Sequence, residues 1–290
     1  MMENYGLTKQ EYRNLIESPF IKASDIAKKL ILPDRIYRFR KLDTSHRRED
    51  LNGICKFSVP NAFSKNDNDD CRVYFNDEEV ISYMYPEYSK KRIRSAMPQC
   101  KKIMQEYKDS LQGKIKAGCF TSAGPLDYSM WEDINFGDKG HGFCIEYEVN
   151  DENFRPDNLA FLPILYDDNH YDSTEAMKAV IDFVKYNTIE SAAKLVCLGY
   201  GHTLIKPVKY QNEQEWRLVI PIRDDGTHLD YFNVDGESKR DMTPAIKAIY
   251  LGYNENCEIY KQEILTHWKN KNISIYQVIK HEKKLSCTKI

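Results

Sequence analysis

The sequence predicts a single α+β domain, residues 31–290, with a mixed or antiparallel sheet and helical insertions, behind a helical lead-in at residues 1–30. Three observations point there. Hydrophobic residues make up 41% of the 290, ample for a core. Short period-two apolar runs and helical stretches follow one another, as in the strand, helical turn, strand block from Gly118 to Glu148. No internal repeat or low-complexity linker divides the chain.

In order, Leu7–Glu17 reads as a short helix capped by Thr8, and Ala23–Leu30 as a second with Ser24 near its start. Arg35–Arg40 alternates basic with apolar or aromatic residues and predicts a first strand burying Ile36. Cys55–Val59 predicts another, stopped by Pro60-Asn61, and Ala62–Asp70 a polar loop without the glycine and closing glutamate of an EF-hand. Glu87–Lys116 predicts a long basic helix, an insertion whose charges are most simply a solvated face but which is the best place for nucleic-acid contact. Gly118–Ser122 is a strand ending in hydroxyls, Ser129–Asp133 a helical turn, Gly142–Glu148 and Leu162–Tyr166 strands, and Ser173–Cys197 a long helix. Beyond the Asn212–Ile222 tract, strands are expected at Thr227–Val234, Ala245–Leu251 and Ser274–Ile279, with a helix at Glu255–Asn270.

The balance of 42 Lys+Arg against 44 Asp+Glu, a formal charge of −2, advertises no global field for nucleic acid or membrane. No apolar run reaches the roughly 18 residues of a membrane span, and the polar first ten residues lack a signal core. A cytoplasmic protein with no membrane partner is expected; oligomeric state is unreadable. The eight cysteines show no C-x-x-C pair and no nearby histidine at ligand spacing, which argues for reduced, packed thiols and no zinc site.

Chemistry concentrates at Glu213-Gln214-Glu215-Trp216-Arg217. Period two puts Glu213, Glu215 and Arg217 on one face of a strand mouth and Trp216 on the other. From spacing alone the commoner outcome is a solvated edge-strand face. Glu213-x-Glu215-x-Arg217 also echoes the carboxylate-x-basic pattern of metal-dependent nucleases, with Lys206 and Lys209 nearby but no upstream aspartate standing out.

Several blocks then match, in order, a known family: Tyr37-Arg38-Phe39, Phe57–Phe63, Cys119-Phe120-Thr121, Met130-Trp131 through Gly142–Tyr147, Glu213–Arg217, and Ile249–Gly252. On these the chain resembles the domain-of-unknown-function family twenty-nine seventy-one of bacteria and phages. It departs from the family at Ser64–Asp67 and at Asp133-Ile134. The layout is similar to the ADP-ribosyltransferase fold, in which a first-strand Arg or His, a middle-strand hydroxyl and a late-strand Glu surround NAD. The resemblance implies NAD as substrate, Glu215 as the catalytic carboxylate, and NAD contacts from Tyr37, Arg38, Arg40, Thr121, Ser122, Trp131 and Arg217. The acceptor would be nucleic acid or protein, and a toxin or anti-phage role is the family-level expectation. The alternatives are a non-catalytic nucleotide- or partner-binding module, in which Glu215 is fully paired, and the nuclease.

Overall fold

The strands, in a computed structural model that describes residues 2–41, 47–60, 70–113, 115–155, 159–221, 233–234, 237–254, 258–268, 271 and 273–290, are β1 Arg35–Arg40, β2 Ile54–Lys56, β3 Ile115–Thr121, β4 Phe143–Glu148, β5 Ala160–Pro163, β6 Leu165–Tyr166, β7 Ile205–Lys206, β8 Glu215–Pro221, β9 Asn233–Val234, β10 Glu237–Asp241, β11 Ile246–Leu251, β12 Ser274–His281 and β13 Lys284–Lys289. Eight form one open sheet in the order β13-β12-β11-β4-β1-β3-β8-β5, and β2-β10-β9 and β6-β7 form two small ones. In the large sheet only β11 and β12 run parallel. The fold is therefore mixed α+β with a mostly antiparallel open sheet, as the residue patterns predict.

Side-chain alternation sorts that sheet into two unlike faces. One carries the main core, where Ile36, Phe120, Ile145, Tyr147, Trp216, Leu218 and Ile249 join Phe154, Ile264 and Trp268, with Arg38 and Arg40 of β1 set among them. The other is apolar only at its two ends. Toward β5, Ile115, Ala160, Leu162 and Val219 pack on Tyr12, Ile16 and Ile26 of the lead-in helices. Toward β12, Phe39, Cys144, Ala248, Tyr250 and Val278 pack on Met130 and Trp131. Between these clusters the same face carries Thr121, Glu215 and Arg217, whose registers place them side by side (Thr121↔Glu215, Cys119↔Arg217).

β1 and β3 touch at a single registered pair, Tyr37↔Thr121. Further along, β3 leaves β1 and bonds instead to Ser58, with the Ala117 N–H donating to the Ser58 carbonyl (2.9 Å) and the Ser58 N–H returning to Ala117 (3.0 Å). A split opens between the two strands. Gly118 lets Phe57 pack closely on β3 at this point, since a Cβ there would stand 2.9 Å from Phe57 Cε1.

Local chemistry explains where the elements begin and end. Thr8 and Glu11 form a reciprocal capping box that starts the helix Lys9–Ile16. The basic helix ends at Gly113, short of the expected Lys116, because Lys116 is already paired to Ile220 in β3. The stretch expected as one helix over 173–197 is two, Thr174–Tyr186 and Ile189–Leu198. Asn187 turns left-handed (φ 46°), and Thr188 Oγ1 accepts the Ser191 N–H to cap the second. Of the strand expected at 227–234, residues 227–232 lie outside the described residues and β9 is its end. The same holds for residues 62–69 of the expected loop. β13 was not expected: its six residues are four polar ones with only Leu285 and Cys287 between them, both half-buried, so the alternation is short and weak.

Trp216 locks β8 to the core, edge-on to Tyr5 (4.8 Å, 81°) and tilted on Phe161 (4.8 Å, 30°), with 1% of its surface exposed. Trp216→Ala should cost about 3–5 kcal/mol in urea unfolding; a loss below about 1 kcal/mol would show that β8 is held by its ladder alone.

Candidate functional site

Arg217 lies 1% exposed on the polar middle of the sheet. A guanidinium stays charged at any pH the fold survives, so burial obliges its surroundings to supply acceptors for its donors. They do. Nε donates to Glu215 Oε1 (2.7 Å) and Nη2 to Glu215 Oε2 (3.0 Å), a bidentate pair along one strand. Nη2 also meets both oxygens of Asp70 (2.8 and 2.9 Å), and Nη1 donates to the Thr203 carbonyl (2.8 Å) and Cys71 Sγ (2.7 Å). Lys206 of β7 is the second cation. Its Nζ stands 2.7 Å from Glu213 Oε2, 3.5 Å from Glu215 Oε2 and 3.6 Å from Asp70 Oδ2.

Two left-handed non-glycine residues deliver these carboxylates. Cys71 (φ 55°) follows Asp70, and Gln214 (φ 44°) separates Glu213 from Glu215. Gln214 ends the 3-10 helix Val208–Glu213, so Glu213 comes off a helical turn rather than the strand, yet still faces Lys206. Thr121 ties the kink down, its Oγ1 donating to the Glu213 carbonyl at 2.5 Å. Strain of this kind costs on the order of 1–3 kcal/mol per residue and persists only where its surroundings hold it. Here it brings three carboxylates to two cations.

The three carboxylates are not equivalent. Burial alone would raise Asp70, but Arg217 and Lys206 outweigh it and hold the carboxyl down at about 2. Glu215 is likewise held low against burial by Arg217 and then Lys206. Glu213 goes the other way. Its burial, with the neighbouring Glu215 charge, outweighs Lys206 and pushes it up to about 7. Lys206 is raised despite burial by Glu215, Asp70 and Glu213. Behind the cluster His202 is buried and neutral, pushed down to about 3 by burial and then by the Arg217 charge.

Arg38 and Arg40 sit on the other face of the sheet, since Arg38 is registered with Ile145 and Arg40 with Phe143. Both reach Asp50, Arg38 Nη1 at 3.5 Å and Arg40 Nε at 2.9 Å. Arg38 is 4% exposed; burial disfavours its charge, but the Cys55 thiol and Asp50 raise its pKa all the same. The split between β1 and β3 joins the two faces into one cleft of about 680 Å³. Asp70, Lys206, Tyr210, Glu213 and Glu215 line one lobe, Arg38, Arg40, Lys41, Asp50, Lys56 and Ser58 the other, with Tyr37, Cys119 and Thr121 among the residues between.

Of the residues singled out from sequence, Tyr37, Arg38, Arg40, Thr121 and Glu215 line this cleft. Three do not. Trp131 is fully buried, its Nε1 donating to the Pro125 carbonyl and its ring edge-on to Phe39 at 5.2 Å, so it is a core residue and offers no face for stacking. Ser122 points away, bonding the Gln214 carbonyl (3.2 Å) and Tyr5 (3.3 Å). Arg217 stands behind Glu215 as its counter-ion. Asp70 was missed, because it ends a polar loop some 140 residues before its partner and nothing local marks it as buried. Asp50 was missed because the short helix Arg47–Leu51 that turns it onto Arg38 and Arg40 has no apolar periodicity to mark it. Lys206 was noticed only for its closeness to Glu213 in sequence.

Asp70→Ala should destabilise the fold by about 3–5 kcal/mol at neutral pH by leaving a buried guanidinium short of a partner. Because the folded-state pKa is depressed, Asp70 contributes stability above its usual value of 3.8, and that contribution fades as pH falls toward about 2. Urea midpoints of wild type and variant should therefore converge between pH 4 and 2; curves that stay parallel would show that the loss is not electrostatic.

Residues 130–218 match the model of a family described as a protein of unknown function, DUF2971. No curated protein and no solved structure matches the chain. The matched segment runs from the Trp131 turn through β4 to β7 and into β8, and so includes Lys206, Glu213, Glu215 and Arg217 while Asp70 and the β1 arginines lie before it. Over residues 130–218, under a third of its length, the chain is similar to that family of proteins of unknown function.

Proposed function

We propose that the cleft binds a dinucleotide, NAD, and that the protein is an ADP-ribosyltransferase-like enzyme whose reactive carboxylate is Glu213 rather than Glu215. The observation that carries this reading is the inequality of the three carboxylates. Glu215 and Asp70 are spent on Arg217, whereas Glu213 lines the cleft with a pKa near 7, suited to taking or giving a proton at neutral pH.

Breaking the bond between ribose C1′ and the nicotinamide nitrogen sends the bonding electron pair to nicotinamide and leaves positive charge on the ribose. With Glu213 ionised, three carboxylates face two cations, and the lobe carries one net negative charge to meet it. The acceptor, water or a hydroxyl of nucleic acid or protein, attacks C1′ and passes its proton to Glu213. The other lobe, with Arg40, Lys41 and Lys56, suits the phosphates, and Tyr37 offers a ring to a base. Arg38 and Thr121 stand on opposite sheet faces, so the ligand would pass through the split.

Asp70 beside Glu215 and Lys206 also supplies the upstream aspartate of the nuclease reading. Among the described residues, however, no group of three His, Cys, Asp or Glu side chains is arranged to hold a metal, the Asp70 and Glu215 oxygens being turned to Arg217. Full pairing of Glu215 fits a non-catalytic module equally well, and Glu213 is what separates the two.

Wild type incubated with NAD should release nicotinamide, with kcat rising as pH passes through about 7 and Glu213 ionises. Glu213→Gln should lower kcat by about 10²–10⁴-fold with little change in KM. If NAD neither raises the Tm nor loses nicotinamide in the presence of water, nucleic acid or lysate protein as acceptor, the enzyme reading is abandoned.

A further inference from the structure

The helix Ile189–Leu198 is apolar on both its sides. Inward, Leu195 and Leu198 pack on Val180, Ile181 and Leu111. Outward, Ile189, Ala192, Ala193 and Val196 recur at i, i+3, i+4 and i+7, the spacing of a second apolar stripe. Ile189 is 91% exposed and Val196 47%, and Val184 and Tyr186, at the end of the preceding helix, are 57% and 67% exposed. The outer face of a surface helix is ordinarily polar. A contiguous outward stripe of this kind marks an interaction surface.

We infer that this stripe is covered by the same helix of a second copy of the chain, packed antiparallel about a two-fold axis near Ala192. The polar residues beside the stripe identify the occupant. Glu190 and Lys194 lie on one flank, both exposed, in a loose pair of 3.4 Å with each other. Under a two-fold axis through Ala192 that flank meets its own image with the sequence reversed, so each Glu190 comes opposite the Lys194 of the other copy. The flank is thus complementary to itself, as a symmetric isologous contact requires. Ala192 and Ala193 at the centre let the two backbones approach, and Ile189 and Val196 close the ends. The surface lies outside the cleft lining, and the dimer does not depend on the reaction proposed there.

Sedimentation velocity of the full chain, from about 1 to about 100 µM, should show a concentration-dependent species of twice the chain mass. Ile189→Glu should abolish it with the thermal melt unchanged, the site being solvent-exposed. Glu190→Lys and Lys194→Glu alone should each weaken dimerisation by about tenfold or more, and the double swap should restore it. A monomer across the whole range, an Ile189→Glu protein that still dimerises, or a double swap no better than the single variants would each overturn the proposal. So would a monomer that binds some other protein through this face.

Discussion

The burial of Arg217 is the constraint on which the middle of the molecule depends. A charge that cannot be titrated away has been placed 1% exposed on a sheet whose other face holds the main apolar core. Everything within reach is arranged in answer. Asp70 is brought in from the far side of a loop, Cys71 and Gln214 accept left-handed backbones, and the Thr203 carbonyl is turned inward. Lys206 then becomes necessary in turn, because Asp70, Glu213 and Glu215 without it would crowd three negative charges around one guanidinium. The cluster supports itself: each charge is tolerable only with the others present.

The split between β1 and β3 has a different origin and the opposite effect. A continuous ladder there would have sealed the sheet between its apolar core and the Arg217 cluster. The pairing of Ala117 with Ser58 turns β3 away from β1 at this point. A charged region on each face therefore communicates through the sheet rather than around it. The main-chain groups of Ala117 that the split takes from β1 are satisfied by Ser58 instead.

The strands and their faces were largely legible in the sequence, because alternation is a local signal and a buried face imposes it. Trp216 and Arg217 on opposite sides, Arg35–Arg40 as the first strand and the Thr8 cap follow from a few neighbouring residues. The site was legible only in part. Thr121 and Glu215 were grouped through the family resemblance, and the register of β3 with β8 sets them face to face, but Asp70 meets a partner far off in the chain and Asp50 reaches β1 from a short helix with no pattern to mark its burial. Trp131 misled for a related reason: a tryptophan beside a polar turn looks the same in sequence whether its ring faces a cleft or, as here, Phe39. Arg38 was read as a neighbour of Thr121, and it is one along the sheet, yet the pleat sends its side chain to the other face.

The arithmetic of the cluster also says which of its members can work. Two cations neutralise two carboxylates, and geometry decides which two. Asp70 and Glu215 both engage Arg217 and both lie within 3.6 Å of Lys206, so each has two cations in reach. Glu213 has Lys206 alone, which it shares with both of the others. The third negative charge therefore falls on Glu213, and so does the freedom to shed it by binding a proton. It is also the member set on a helical turn outside the ladder, bordering the cleft. A proton moving on or off Glu213 changes the charge of the lobe between zero and minus one and leaves the Arg217 pairings intact. The strain at Gln214 is consistent with that division: it holds one carboxylate in the scaffold and the next one out of it.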